Sequence, residues 1–264
     1  MRTTSGDGAH QYTYTHRKPQ FVLHAIAFRV YAVPRLPLVE DLTKSPIPAG
    51  SVLLVEFDAA SAWFNASLTI AAGWLNDGGA VTYNDWTQSP DELRGKLSRL
   101  GLQVDSLEKV GRLLIWDAHT AALGQKSKER MAPDSLRIAD LSLFIKDVMR
   151  GPPDPSLLHI SDNASTLARF NDDKSWTELL LTRFYPFIRL GKMTSLSAFA
   201  RGLHSEWVYR KLEAEADGII DFKLDEAADP PMNLIRIRSL RDVGFDGRWH
   251  PLKINENFEV TVEK

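Results

Sequence analysis

The chain has 264 residues and a formal net charge of −2, and 44% of its residues are apolar. A chain of this kind can bury the core of one large domain or two small ones, and its near-neutral charge argues against a dedicated nucleic-acid-binding protein. It contains no cysteine, which excludes disulfides, thiolate nucleophiles and cysteine-ligated metal centres.

The seven histidines do not form a recognisable metal-binding pattern. None is spaced as His-x-x-x-His or His-Glu-x-x-His, the helical pairs that hold a metal ion. No stretch reaches the roughly eighteen apolar residues of a membrane helix, and the N-terminus lacks the basic and apolar regions of a signal peptide. We therefore expect a cytoplasmic protein with no metal site and no membrane contact.

The N-terminal part of the sequence precedes the predicted core. Residues 1–18 are polar and rich in Gly, Ser and Thr, which predicts a flexible tail. Residues 21–33 are β-branched and aromatic, which predicts one or two strands. Four prolines between 34 and 48 then predict an irregular connection. The aliphatic run 52–55 predicts a strand that is covered on both faces of a sheet.

Helices and strands alternate after that strand. The sequence Ser89-Pro90-Asp91-Glu92 predicts a helix start, with a Ser N-cap, Pro in the first turn and two carboxylates near the helix N-terminus. Further strands are predicted over 80–83, 112–116, 157–160 and 193–200, and other helices over 61–75, 133–149, 175–190 and 206–216. The polar residues 124–130 predict a flexible loop.

The pattern of predicted elements changes in the last part of the chain. Four short strands are predicted over 218–224, 234–238, 251–254 and 258–262, joined by turns and without intervening helices. Alternating strands and helices followed by such a meander predict an α/β fold. Its central sheet is mostly parallel, with antiparallel strands at the C-terminal end. We expect a single domain over 19–264.

Residues 50–64 are the most informative segment, because their sequence predicts a strand, a loop and a helix. This is the order of elements in which a phosphate-binding loop occurs. Such a loop needs glycines, whose backbone N–H groups wrap a phosphate, followed by Lys and Ser or Thr. Here no glycine lies between Gly50 and Gly73, and the last two places hold Trp63 and Phe64. The segment has the order of a phosphate-binding loop without its chemical groups.

Five segments, in this order, resemble the RecA superfamily and, within it, the KaiC-like ATPases. They are 46–55, 89–93 with 100–102, 162–167, 216–220 and 235–241. The resemblance covers about residues 34–264. It implies a RecA-like three-layer sandwich with helices on both faces of the central sheet.

The resemblance also implies what each position would do in an active member of the family. The lysine that holds the β- and γ-phosphates falls on Trp63, the Mg²⁺-binding hydroxyl on Phe64, and the paired catalytic carboxylates on Thr87 and Gln88. The positions that would mark a former nucleotide site are Ser61, Trp63, Phe64, Asp162 and Arg241. Because the groups that neutralise a triphosphate are missing, we expect no catalytic residue and no cofactor.

Several of these residues have a simpler interpretation. Trp63 and Phe64 are expected to pack in the core and thereby to fill the pocket. Asp162 could be a former metal ligand, but Asp is also a preferred N-cap, and we favour capping of the helix that follows. Arg236 and Arg238 could contact phosphates or a neighbouring subunit. We favour charges that protect an edge strand.

The role of Arg241 stays open, because its position matches the family. Three tryptophans could be anchors of an interface, although core packing is the commoner role of any single tryptophan. They are Trp176, Trp207 and Trp249.

The sequence thus favours a catalytically inactive KaiC/RecA-like protein, a pseudo-ATPase that acts as a structural or regulatory subunit. The resemblance implies a homo-oligomer, which could be a hexameric ring, or assembly with an active RecA-like paralogue. One alternative is a nucleotide-binding sensor with an altered pocket. Another is a nucleic-acid-binding module, which the near-neutral charge disfavours.

Overall fold

The computed structural model describes residues 33–148 and 154–263. The tail predicted over 1–18, nearly all of the segment 21–33 and the predicted start of the domain at residue 19 lie outside the described residues. The described residues all belong to one compact unit.

A nine-stranded sheet forms the centre of the described chain, in the order β3-β2-β4-β5-β1-β6-β7-β8-β9. The six strands from β3 to β6 run parallel to their neighbours, and β7, β8 and β9 are added antiparallel. The predicted α/β fold with an antiparallel C-terminal end is therefore confirmed. The strands are β1 (Val52–Phe57), β2 (Ala80–Asp85), β3 (Leu113–Asp117), β4 (Leu157–Ser161), β5 (Thr194–Ala200), β6 (Gly218–Asp225), β7 (Met232–Leu240), β8 (His250–Ile254) and β9 (Val260–Val262).

Helices cover both faces of this sheet, as the three-layer prediction requires. The α-helices are α1 (Trp63–Asn76), α2 (Pro90–Arg99), α3 (Val104–Lys109), α4 (Ala118–Ala122), α5 (Ile138–Val148), α6 (Asp173–Leu179), α7 (Tyr185–Leu190) and α8 (Glu206–Glu215). A 3₁₀ helix spans Ala164–Arg169, and a π-helical segment, Leu180–Phe184, joins α6 to α7.

The central strand β1 shows why the sheet is covered on both sides. All six of its residues are buried. Its side chains alternate between two hydrophobic cores: Leu53 and Val55 pack in the core that contains α1, and Leu54 packs in the core that contains α6 and α8. A continuous aliphatic run is what a strand buried on both faces requires.

The predicted start of α2 is confirmed in detail. The Ser89 Oγ accepts a hydrogen bond from the Glu92 backbone N–H at 3.4 Å, and the Glu92 carboxylate accepts one from the Ser89 backbone N–H at 2.9 Å. This reciprocal capping box satisfies two N–H groups that the first helical turn would leave without partners.

Removal of this cap should have a moderate effect. We expect Ser89→Ala to lower the free energy of unfolding by about 1 kcal/mol, measured by urea denaturation. The matched control is Ser98→Ala, at an exposed position in the same helix, which should cause no loss because Ala is the better helix former. Equal effects of the two substitutions would contradict the capping role.

Two local expectations are corrected by the structure. The helix predicted over 133–149 begins only at Ile138, and Leu143, one of its apolar residues, is 65% exposed. The loop 124–130 is irregular, as predicted, but it is held in place. Ser127 donates to the Asp117 carboxylate, and Glu129 pairs with Arg94 at 2.7 Å. Among the described residues, no helix is long and apolar enough to span a bilayer.

Candidate functional site

The loop between β1 and α1 lies at the carboxyl end of the parallel strands, the edge where α/β proteins bind ligands. It consists of residues 58–62 and contains no glycine. The Asp58 N–H donates to the Phe222 carbonyl at 3.0 Å, and the Ser61 N–H donates to the Asp58 carbonyl at 2.8 Å. These two loop amides already have partners within the protein, so neither is free to bind a phosphate.

Trp63 begins α1 and occupies the space beside this loop. Its side chain is fully buried. The ring lies 5.2 Å from the Phe222 ring and 6.2 Å from the Phe57 ring, measured between centroids. Its indole N–H donates to the Asp162 carbonyl at 2.7 Å. The expectation of core packing is therefore confirmed for Trp63, and the indole links α1 to the end of β4.

Asp162 follows β4 and is completely buried. One carboxylate oxygen accepts from the Trp86 backbone N–H at 2.9 Å, and the other accepts from the Thr87 hydroxyl at 2.6 Å. The next helix is preceded by Asn163 and has no side-chain cap. The prediction that Asp162 caps this helix is thus wrong, because its carboxylate faces the turn after β2 instead.

The contact between Thr87 and Asp162 should contribute measurably to stability. We expect Thr87→Val to lower the free energy of unfolding by about 1.5–3 kcal/mol, the usual worth of a hydrogen bond to a charged group. Urea denaturation measures this effect. Thr87→Ser keeps the hydroxyl and should stay close to the wild type. Because Thr87→Val keeps the methyl group and replaces only the hydroxyl, an unchanged stability of Thr87→Val would contradict the role of this hydrogen bond.

A second carboxylate, Asp85, ends β2 beside Asp162. Its side chain is buried, and one oxygen accepts from the Gln88 N–H at 3.2 Å. The other oxygen has no hydrogen-bond partner among the described residues. Burial, reinforced by the nearby charge of Asp162, raises the pKa of Asp85 to about 8. Burial raises the pKa of Asp162 to about 6, against the bonds from Thr87 and Trp86.

The remaining predicted positions do not all meet at this end of the sheet. Phe64 is half-buried, with its ring 5.4 Å from Phe57. Ser61 lies in the loop, and its hydroxyl has no partner among the described residues. Arg241 lies near the opposite end of β1, where its N–H donates to the Asp217 carbonyl and the Asp217 N–H donates to Val52. Within this chain, the structure therefore separates Arg241 from Trp63.

Arg236 and Arg238 belong to an ion-pair network. Their strand β7 pairs with β6 along its length and with β8 at Leu234 and Ile235. The Arg236 Nε lies 2.7 Å from the buried Asp221 carboxylate, and an Arg238 guanidinium nitrogen lies 2.7 Å from the Glu56 carboxylate. The prediction of protective edge charges is wrong, since these arginines compensate carboxylates buried in β6 and β1. Arg201, after β5, also pairs with Asp221.

The three singled-out tryptophans have different environments. Trp176 is fully buried and stacks on Phe199 with ring centroids 5.5 Å apart. Trp249 is half-buried between two cations, with the Arg236 guanidinium 4.4 Å from its ring centroid. Trp207 is 41% exposed. Core packing thus accounts for Trp176, and Trp207 alone of the three remains largely accessible.

Sequence reasoning missed Asp85 and the acidic half of the ion-pair network. Asp85 lies two residues after the strand predicted over 80–83 and two residues before Thr87, and that position was the available signal. Glu56 and Asp221 interrupt apolar strand runs. A carboxylate inside such a run predicts a buried partner, because a buried charge must be paired.

The comparisons with known proteins are structural. No protein-family model matches the chain, and no curated protein matches it. A KaiC-like protein from the archaeon Pyrococcus horikoshii superposes with a TM-score of 0.65 at 16% identity, covering 89% of this chain and 99% of that one. The flagellar accessory protein FlaH from Methanocaldococcus jannaschii superposes with a TM-score of 0.66 at 18% identity, covering 88% and 100%. The chain therefore has the RecA-like fold of KaiC-like proteins, as its five segments predicted.

Proposed function

We propose that this chain is a catalytically inactive RecA-like protein, a pseudo-ATPase that serves as a structural or regulatory subunit of a cytoplasmic oligomer. The observation that carries the proposal is the position of Trp63. Its buried indole stands at the start of the helix after β1, where the resemblance places the phosphate-binding lysine. Its N–H is bound to the Asp162 carbonyl.

The residues around this loop do not fit a magnesium nucleotide. A bound Mg²⁺ would need Asp162 to face it or its water shell, yet this carboxylate is completely buried and its oxygens accept hydrogen bonds from Trp86 and Thr87. A triphosphate also needs cations and free amides. The side chains here include Asp58 and Asp85. The guanidinium of Arg201 pairs with the carboxylates of Glu56, Asp58 and Asp221.

Phosphoryl transfer depends on positioning and on neutralisation of charge, so the loss of both leaves little to accelerate the reaction. The residues at the two positions that the resemblance assigns to catalytic carboxylates support the same conclusion. Thr87 holds Asp162, and the side chain of Gln88 accepts a hydrogen bond from Lys96. Neither side chain is an ionised base that could activate a water molecule.

Two measurements on the purified full chain test the proposed lack of ATPase activity. We expect no ATP turnover, and no change in melting temperature with millimolar Mg-ATP. A ligand at 100 times its Kd would stabilise the folded state by about 2.7 kcal/mol. Turnover would overturn the proposal. A clear rise in melting temperature without turnover would favour the nucleotide-sensor alternative.

The proposed assembly has its own test. Native mass spectrometry of the intact protein should show an oligomer of this chain, and a hexameric ring would give six times the chain mass of 29.7 kDa. A pull-down under native conditions would instead recover an active RecA-like paralogue if the chain assembles with one. A monomer without partners would contradict the subunit role, and salt-sensitive retention of RNA or DNA would favour the nucleic-acid alternative.

A further inference from the structure

Helix α8 presents one continuous face to solvent. It buries Val208 and Leu212 in the core on its side of the sheet. The helical period of about 3.6 residues places the side chains of five exposed residues away from this buried pair. We name these five residues the α8 outer face; they are Glu206, Trp207, Arg210, Lys211 and Ala214.

Trp207 gives this face an apolar centre. Charged side chains are ordinary on the solvent side of a surface helix, but the ring of Trp207 is 41% exposed there. Leu203, in the loop just before α8, is 64% exposed. Tryptophan is enriched among the residues that anchor protein interfaces, and neighbouring exposed apolar side chains mark interaction sites. The α8 outer face therefore has the composition of a contact surface.

The start of α8 is fixed from inside the protein. The His204 ring lies between two partners, with Nδ1 3.2 Å from the Asp173 carboxylate and Nε2 2.9 Å from the Ser165 hydroxyl. The Ser205 backbone N–H donates to the same carboxylate at 3.2 Å. These contacts hold the first turn of α8 in one conformation. A surface that is ordered before binding loses less conformational entropy when a partner covers it.

The charges of the α8 outer face are self-complementary. Glu206 lies in the first turn of α8, whereas Arg210 and Lys211 lie about one turn later. Two copies of the helix packed in the same direction would bring like charges together. Packed in opposite directions, they place Glu206 of each copy beside the basic pair of the other and bring opposite ends of the helix dipoles together. A second copy of this chain, related by a two-fold axis, therefore complements this face.

We propose that the α8 outer face is a self-association surface, at which two copies of this chain pack α8 against α8 in antiparallel orientation around a two-fold axis near Trp207. The two indole rings bury each other at the centre of this contact. In each copy Glu206 exchanges its pair with Arg210, at 3.2 Å, for pairs across the axis, and an exposed pair of this kind contributes little by itself. The inference rests on the proposed function, because it names one contact of the proposed oligomer.

Variants with reversed charges test this contact on the full chain. Glu206→Arg makes all charges of the face basic, and the double substitution Arg210→Glu/Lys211→Glu makes them all acidic. Like charges then meet across the axis, so we expect each variant alone to associate about tenfold or more weakly than the wild type, measured by analytical ultracentrifugation. An equimolar mixture should recover the association, and native mass spectrometry should show species that contain both variants.

Recovery in the mixture would show a contact between chains, because both variants lack the Glu206–Arg210 pair within the chain. The matched control is Lys109→Glu, which reverses an exposed charge on α3, on the other side of the sheet, and should leave association unchanged. If the oligomer survives in both variants, if the mixture recovers nothing, or if the control weakens it equally, the inference is overturned while the proposed subunit role stands. A monomeric wild type would overturn both.

A second test uses the absence of cysteine from the chain. Arg210→Cys places a single thiol close to the proposed axis and keeps Trp207, so a short bismaleimide should join two copies covalently. Lys109→Cys offers an exposed thiol on α3 and should give no such product. Denaturing electrophoresis measures the linked dimer. Equal yields from the two variants, or no dimer from Arg210→Cys, would overturn the proposed axis.

Discussion

Replacing Trp63 with alanine is expected to lower the free energy of unfolding by about 3–5 kcal/mol, the usual cost of truncating a buried Trp. The side chain is fully buried and contacts the rings of Phe57 and Phe222. The substitution also leaves the Asp162 carbonyl without its indole donor. Both losses act in the same direction, and guanidinium denaturation followed by circular dichroism measures their sum.

Two other variants separate the loss of core packing from the loss of the indole hydrogen bond. Trp207→Ala removes a tryptophan that is 41% exposed and should have a much smaller effect, because less apolar area leaves the core. Trp63→Phe keeps an aromatic ring but removes the N–H, so it should lie between the wild type and Trp63→Ala. A Trp63→Ala variant as stable as Trp207→Ala would show that the indole is not part of the packed core. It would also remove the main support for the proposed loss of nucleotide binding.

The fold could be predicted from the sequence because its elements leave local signals. The run 52–55 lies inside the observed β1, and the capping sequence at Ser89 starts α2 at the expected place. Burial on both faces of a strand and the start of a helix are fixed by residues close in sequence. The antiparallel end was equally visible, since no helical pattern separates its strands.

The contacts of the candidate site could not be predicted in the same way. Trp63 and Asp162 are 99 residues apart, and Asp162 and Thr87 are 75 apart. Sheet order brings them together, and one chain gives no signal of which side chain faces which. The capping prediction for Asp162 was wrong for this reason. It rested on the local preference of Asp for N-cap positions, whereas the carboxylate faces the turn after β2, which is distant in sequence.

The arginines of β7 illustrate the same limit. Alternation along the strand correctly separates Ile235 and Ile237 from Arg236 and Arg238, since both isoleucines are fully buried in the α1 core. The alternation of residues along β7 does not indicate which side chains cover the face that carries the arginines. There the buried carboxylates of Glu56 and Asp221 require positive partners, and the arginines supply them.

The protonation of Asp85 gives the fold a pH dependence with a definite sign. Its pKa is about 8 in the folded state, against about 3.9 in an unfolded chain. Between these values the folded protein keeps the proton and the unfolded chain releases it. The unfolded state then binds fewer protons, so stability falls as pH rises, by up to about 1.4 kcal/mol for each pH unit from this group. Below about pH 4 this loss is absent.

Replacing Asp85 with asparagine should remove this contribution. Asn has nearly the shape of the neutral carboxylic acid, and its side-chain oxygen can still accept from the Gln88 N–H, but it has no proton to release. Between pH 5 and 7, roughly the middle of the window set by the two pKa values, we expect the variant to gain about 1.4 kcal/mol of stability relative to the wild type for each pH unit. Urea denaturation at pH 5, 6 and 7 measures the difference.

The control for this experiment is Asp91→Asn, because the Asp91 side chain is 96% exposed. Its stability should change with pH as that of the wild type does, with at most a small constant difference from the lost charge at the start of α2 and its pair with Arg94. Asp162 is retained in all three proteins, so its own titration near pH 6 affects them alike. If the curves of the wild type and Asp85→Asn run parallel, Asp85 is ionised in the folded protein. Its unpaired oxygen would then need a positive partner, and a cation at this end of the sheet would become the alternative to the inactive site proposed above.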